Sequence, residues 1–297
     1  MNPLEVFTKG DPSAPLEPGL YMVATPIGNL EDITLRALRI LSKCSLVAAE
    51  DTRRIRILLN NFEIKVKTVS YREQNRARAT PGLLELIREG HAVALVSDAG
   101  MPCVSDPGAE LVAACAEAGL PVFAVPGANA ATGALSISGF PGDRFSFLGF
   151  PPAKSAARRK LLEEVSSRPE PLVFYEAPHR IVPSLRDMQE VLGDRLAVAA
   201  REMTKLHEER IAGRLSEIRD SLENRSHIRG EFTLVVAGLE DSEAADIGDA
   251  ELRRRYLALL AEGVEPNEAL RRLAAATGRR KRELYSLLRS EKEEEGE

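Results

Sequence analysis

The sequence predicts an α/β protein of two domains followed by a small all-helical extension, and three observations carry that expectation. Short apolar runs alternate with helical patterns of about ten residues from Leu20 onward, the mark of a largely parallel sheet covered on both faces. A Gly/Pro-rich break over 140–155 interrupts this alternation, after which it resumes. Beyond a polar, acidic stretch at 241–249, three short helical patterns carry a concentration of basic residues. The chain's 297 residues suit about two domains of ordinary size.

The elements follow in order. Strands are expected at 20–25, 46–49, 66–70, 92–97 and 122–125. Helices are expected at 32–41, with Asp32 as N-cap, and at 52–60, 80–89, 107–118 and 129–138, the last ending at Gly139. In the second alternation, helices at 155–166, 178–192 and 215–223 accompany strands at 172–175, 196–201, 208–213 and 231–237. This second unit reads as mixed rather than purely parallel. The domain division is a flexible Pro-rich lead-in at 1–18, an α/β domain at 19–142, a second at 143–240, a linker at 241–249, a helical domain at 250–290 and an acidic tail at 291–297. The terminal helices, 250–261, 266–276 and 279–289, are punctuated by Gly263 and Gly278. Their apolar spacing suits a helix-turn-helix whose second helix opens on Arg279, Arg280, Lys281 and Arg282. A helical cap docked on the body fits the same spacing.

Composition narrows the function classes. Hydrophobic residues at 44% and charged residues at 29% exclude a wholly disordered or collagen-like chain. No run of about 18 apolar residues exists to cross a membrane, and 1–18 lacks the apolar core of a secretory signal. Cys44, Cys103 and Cys115 form no CxxC motif, which points to a reducing, cytoplasmic setting. With no close Cys/His cluster, no structural metal site is expected. A formal net charge of −5 argues against an overall basic coat but leaves room for local patches. Arg53, Arg54 and Arg56 form one patch, Arg72, Arg76 and Arg78 another, and Lys154, Arg158, Arg159 and Lys160 a third. Over 251–289, ten Lys/Arg stand against five Asp/Glu, an excess of five.

The unusual residues follow predicted strands: 25–29 (TPIGN), 49–53 (AEDTR), 97–102 (SDAGMP), 125–129 (VPGAN), 175–180 (YEAPHR) and 201–205 (REMTK). Ligands of α/β sheets bind outside the carboxyl ends of strands, so six such loops predict a shared site in a cleft between the domains. No GxGxxG follows the first strand, and no P-loop, GxSxG or HExxH motif occurs. The pair Asp98 and Asp106 admits a metal, but Asp beside Pro102 and Pro107 more simply braces its own turn.

At these loops the sequence resembles the tetrapyrrole methylase superfamily, and within it the rRNA (cytidine-2′-O)-methyltransferases of the small subunit methyltransferase I group. The resemblance rests on LYMVATPIGNLEDITLRAL (20–38), AAEDTR (48–53), LVSDAGMPCVSDPG (95–108), VPGANAA (125–131), FLGFPPAK (147–154), FYEAPHR (174–180), AREMTKLHEE (200–209) and RGEFTLVVAG (229–238). It departs from the group at Met101, where Thr is common, and at Arg72 and Gln74, where histidines are common.

The resemblance implies a two-domain methylase fold binding S-adenosylmethionine between its domains, usually as a homodimer. The implied acceptor is a cytidine ribose 2′-hydroxyl in the decoding region of 16S rRNA, within the small ribosomal subunit. It puts Pro26, Asp98, Gly100, Met101, Val104, Ser105, Asn129, Ala130 and Ala131 around the cofactor, with Phe174 and Tyr175 flanking its adenine and Glu231 nearby. A ribose hydroxyl is a poor acid, so the site needs a base or a cation beside the oxygen. Lys205 is the first candidate, Glu176 the second and His179 the third, among rim residues that include Glu50, Asp51, Arg180 and Glu209. Arg53, Arg54, Arg72, Lys154, Arg158, Arg159, Arg280 and Lys281 are the expected RNA contacts. A corrinoid or siroheme-precursor C-methyltransferase, and a non-catalytic RNA-binding assembly factor, are the competing readings.

Overall fold

A computed structural model describes residues 14–239, 249–277 and 281–289. By internal contacts these fall into two units, one of 14–133 with 203–206 and the other of 134–202 with the described residues from 207 onward.

The first unit is built on a five-stranded sheet of β1 (Gly19–Val23), β2 (Leu46–Ala49), β3 (Thr68–Ser70), β4 (Ala92–Val96) and β5 (Val122–Val125). The spatial order is β3-β2-β4-β1-β5, and every pairing is parallel. β1, β2 and β4 are buried along their whole length, as a sheet covered on both faces requires. Alternation along each strand feeds two cores. Tyr21, Val23, Val47, Ala49, Ala94 and Val96 pack against α1 (Leu35–Lys43) and α2 (Thr52–Asn61) on one face. Leu20, Met22, Leu46, Ala48, Val93 and Leu95 pack against α3 (Arg76–Arg88) and α4 (Ala109–Glu117) on the other. α5 (Ala130–Ser138) follows β5 and is capped by Asn129, whose side chain accepts from the Thr132 N–H at 3.1 Å.

Two boundaries differ from the sequence expectation for identifiable reasons. Asp32 does not cap α1. A short 3-10 turn, Leu30–Asp32, takes its cap from Asn29, and Thr34 accepts from Ala37 N–H at 3.1 Å to start the helix. Likewise α3 begins at Arg76 rather than at 80, enclosing Pro81. The Asn75 side chain secures that early start by accepting from Arg72 N–H at 2.7 Å and donating to Ser70 O at 3.0 Å.

The second unit holds β6 (Ser146–Phe147), β7 (Leu172–Glu176), β8 (Leu196–Arg201), β9 (Glu209–Arg214) and β10 (Phe232–Val236) in the order β6-β7-β10-β8-β9. Only β6 and β7 pair in parallel, so this sheet is mixed, as expected. β6 lies inside the stretch read from sequence as a plain break. One face carries Leu172, Phe174, Ala199, Phe232 and Leu234 against α6 (Ser155–Val165), α7 (Ile181–Leu192) and α8 (Leu215–Glu223). The helices α9 (Asp249–Ala261), α10 (Pro266–Thr277) and α11 (Lys281–Arg289) close around their own cluster of Leu252, Leu270, Leu273 and Leu284.

Candidate functional site

In the first unit the chain leaves β1 toward β2 on one side and leaves β4 toward β5 on the other. The carboxyl ends of these adjacent strands form a topological switch point, where a crevice opens because the outgoing helices cover opposite faces. The two loops are stitched together there. Thr25 N–H donates to Gly100 O at 2.9 Å, and Gly100 N–H donates to Thr25 O at 3.0 Å. The Thr25 hydroxyl donates to Ser97 O at 3.2 Å, and the Ser97 hydroxyl to Gly100 O at 3.1 Å. Gly100 holds φ +83, a left-handed conformation that glycine adopts without the strain of a Cβ. Cys103 and Ser105 share that region with φ +69 and +67, so this loop stores backbone strain of the kind that gathers at functional sites.

A pocket of about 180 Å³ opens here, its walls including Pro26, Leu30 and Ile57 and its polar edge Arg54 and Asp98. Asp98 is fixed on one oxygen by Asp51 N–H at 2.9 Å and faces Arg54 Nε at 3.4 Å with the other. Carboxylates crowd this edge. Burial, aided by the charges of Glu50 and Asp98, pushes Asp106 up to about 6, and burial beside Asp98 raises Glu50. Asp51 is held well below the usual carboxylate range by hydrogen bonds from the Arg53 side chain and N–H. Lys205 belongs to this unit although β8 precedes it in sequence. Its stem passes directly over Gly28, where a Cβ would collide with Lys205 Cγ. Its neighbours Glu202 and Thr204 hold φ +50 and +66.

The second unit uses its charged residues differently. Glu176, 1% exposed, ends β7 with its carboxylate fully engaged. It accepts from the Ser184 hydroxyl, from Ala177 N–H at 2.9 Å, and faces Arg180 Nε at 3.2 Å. Arg158, 3% exposed, donates to Asp187 at 2.7 Å and to the carbonyls of Pro152 and Ala153 at 3.3 Å each. Glu209 is gripped by Arg225 at 2.6 Å and Arg201 at 2.9 Å, and the Arg225 hydrogen bond leads in holding it down to about 2.

Residues 19–219 match the family model of tetrapyrrole (corrin/porphyrin) methylases. A ribosomal RNA small subunit methyltransferase I from Halalkalibacterium halodurans is 43% identical over 92% of this chain and 95% of its own. Another, from Micromonospora olivasterospora, is 45% identical over 93% of this chain and 88% of its own. The chain belongs to the small subunit methyltransferase I group of the tetrapyrrole methylases. Solved structures agree on the fold. A cobalt precorrin-4 methyltransferase aligns with TM-score 0.55 at 15% identity, covering 74% of this chain and 94% of its own. A Thermus thermophilus uroporphyrin-III C-methyltransferase, complexed with S-adenyl homocysteine, aligns at 0.52 and 20% identity over 74% and 97%.

Within this methylase fold, Pro26, Asp98, Gly100, Met101, Asn129, Ala130, Ala131 and Lys205 belong to the first unit, as do Arg53, Arg54 and Arg72. Arg53 and Arg54 expose 82% and 67% of their side chains, and the exposed Arg72 donates to Glu50 O at 2.8 Å. Val104 is half-buried and Ser105 exposed in the strained loop. Three expectations need correction. Phe174 does not flank a ligand: strand alternation turns it into the core against α6–α8, and only Tyr175 points to the other face. Arg158 does not contact RNA, because its guanidinium is buried in the Asp187 ion pair. Glu176 is a brace for the start of α7, with both oxygens occupied. His179 is exposed in the turn before α7, Glu231 is exposed with its N–H on Glu202 at 3.0 Å, and Lys154 is exposed before α6. Arg280 lies outside the described residues, and Lys281 opens α11. The stitching by Thr25 and Ser97 and the partial burial of Asp106 went unread in sequence, although Ser97 of the SDAG segment and Asp106 of the SDPG segment carried the signal.

Proposed function

We propose that the protein transfers the methyl group of S-adenosylmethionine to the ribose 2′-hydroxyl of a cytidine in the decoding region of 16S rRNA, within the small ribosomal subunit. The observation that carries this reading is the near full-length likeness, above 40% identity, to ribosomal RNA small subunit methyltransferase I from several bacteria. The chemistry of the stitched loops supports it. Gly28 leaves room that a Cβ would take from Lys205, Gly100 gives its loop a left-handed turn, and Asp98 and Glu50 supply acceptors suited to ribose hydroxyls and an ammonium group.

When bound, S-adenosylmethionine supplies a methyl carbon activated by its sulfonium, so the protein's task is mainly to align the acceptor. Lys205, held over Gly28 by a strained segment, is assigned to orient the 2′-hydroxyl and take its proton. Arg53, Arg54 and Arg72 meet the phosphates on either side. The enzyme acts as a homodimer in the cytoplasm on this reading. A tetrapyrrole precursor as acceptor is the second reading, supported by structural neighbours of low identity that are uroporphyrin-III and cobalt-precorrin-4 methyltransferases.

The test uses small ribosomal subunits from a strain lacking the gene, incubated with the protein and methyl-labelled S-adenosylmethionine, with rRNA nucleosides read by mass spectrometry. Label confined to one 2′-O-methylcytidine is expected; label on a tetrapyrrole precursor and none in RNA would reverse the ranking. Lys205→Ala should lower kcat by about 10²–10⁴-fold with little change in KM. Lys205→Arg, which keeps charge without an accessible base, should not restore it.

A further inference from the structure

Phe150 is an exposed aromatic on a backbone held at nearly every available carbonyl. The residue is 56% exposed to solvent. Gly149 O accepts from Tyr175 N–H at 2.9 Å. Pro151 O accepts from Arg180, whose guanidinium is paired with buried Glu176. Pro152 O and Ala153 O accept from buried Arg158. A strand hydrogen bond on one side of Phe150 and two ion-paired arginines on the other therefore fix the backbone around one outward-facing ring. Beneath it, the Tyr175 ring meets Phe150 edge-on at 5.5 Å and Phe147 at 4.9 Å, which leaves Phe150 little room to fold away. Exposed Lys154 follows at the N-terminus of α6, which has no side-chain cap and carries the positive end of the helix dipole.

We infer that Phe150 is a stacking platform for an unpaired nucleobase of the RNA substrate, with Lys154 meeting the adjacent phosphate. A rigid aromatic face beside a cation is the chemistry by which proteins hold single-stranded RNA: the ring stacks on a base, and the charge follows the backbone. The inference rests on the rRNA reading above and adds to it a contact in the second unit.

The chain contains no tryptophan, so Phe150→Trp gives the full-length protein a single indole at the proposed contact. Unstructured oligocytidylate RNA should quench its fluorescence saturably, whereas inorganic polyphosphate, which offers charge without bases, should not. Phe150→Leu should weaken oligocytidylate binding about tenfold and leave S-adenosylhomocysteine affinity unchanged. Quenching by S-adenosylhomocysteine alone, equal quenching by polyphosphate, or no quenching by any of the three would overturn the inference. So would full RNA affinity in Phe150→Leu, which decides the matter if the tryptophan variant does not fold. Methyl transfer by the unaltered protein, run alongside, separates the failures. Labelled rRNA without quenching removes only the platform, and no labelled rRNA removes the reading beneath it.

Discussion

The two units spend the same residue types in opposite ways. At the carboxyl edge of the parallel sheet, Arg53 and Arg54 stand out in solvent, and backbone groups of Thr25 and Gly100 do the joining. In the mixed sheet's unit, Arg158 and Arg180 are drawn inward to Asp187 and Glu176, where they hold a loop rather than a ligand. A cluster of arginines in sequence thus says little about RNA until burial divides it into contacts and braces.

The sharpest way to break this contrast is to remove one arginine of each kind. Arg158→Ala strands Asp187 in the interior and should cost about 3–5 kcal/mol, read by urea denaturation. Arg53→Ala, on an exposed and screened pair, should leave stability essentially unchanged while weakening RNA binding. Equal losses of stability in the two variants would erase the distinction. Next in size, Gly100→Ala forces a Cβ into the left-handed region and should cost about 2 kcal/mol. It should also lower S-adenosylmethionine affinity, measured by calorimetry.

The smallest effect tests the carboxylate edge. The folded state holds Asp106 at about 6, above its ordinary 3.8, so between those values it binds more protons than the unfolded chain. Its contribution to stability is full below about pH 4 and is lost as pH rises through 6. Asp106→Asn should therefore stabilise the protein near neutral pH by about 1 kcal/mol, a value reduced from the full shift because the group is only partly buried. The gain should disappear near pH 4, and a pH-independent difference in thermal denaturation would reject burial of the charge as its cause.

The alternation of strands and helices was legible because fully buried parallel strands read as continuous apolar runs, as in 92–96. The switch-point loops were legible as Gly- and Pro-bearing segments at strand ends. Arg158 was misread because charge was weighed over position, yet Arg158, Leu162 and Val165 are all buried on one face of α6 at helical spacing. Phe174 and Tyr175 show the converse limit. Either could face inward, and the choice depended on a register with β10 that pairs Phe174 with Leu234 and Tyr175 with Thr233. The early start of α3 depended on an Asn75 side chain whose partners are set by tertiary placement.

One feature of the first unit bears on how the protein is made. All five strands of its sheet have left the ribosome once Val125 has emerged, but residues 203–206, which include Lys205, are synthesised only after β8. The parallel sheet and its stitched loops can form during translation, while the segment over Gly28 must join late, through a contact of long sequence separation that closes slowly. Nascent chains halted before 203 would then carry a folded methylase sheet without Lys205, so, on the proposed role of that lysine, catalytic competence would arrive as a discrete late event in synthesis.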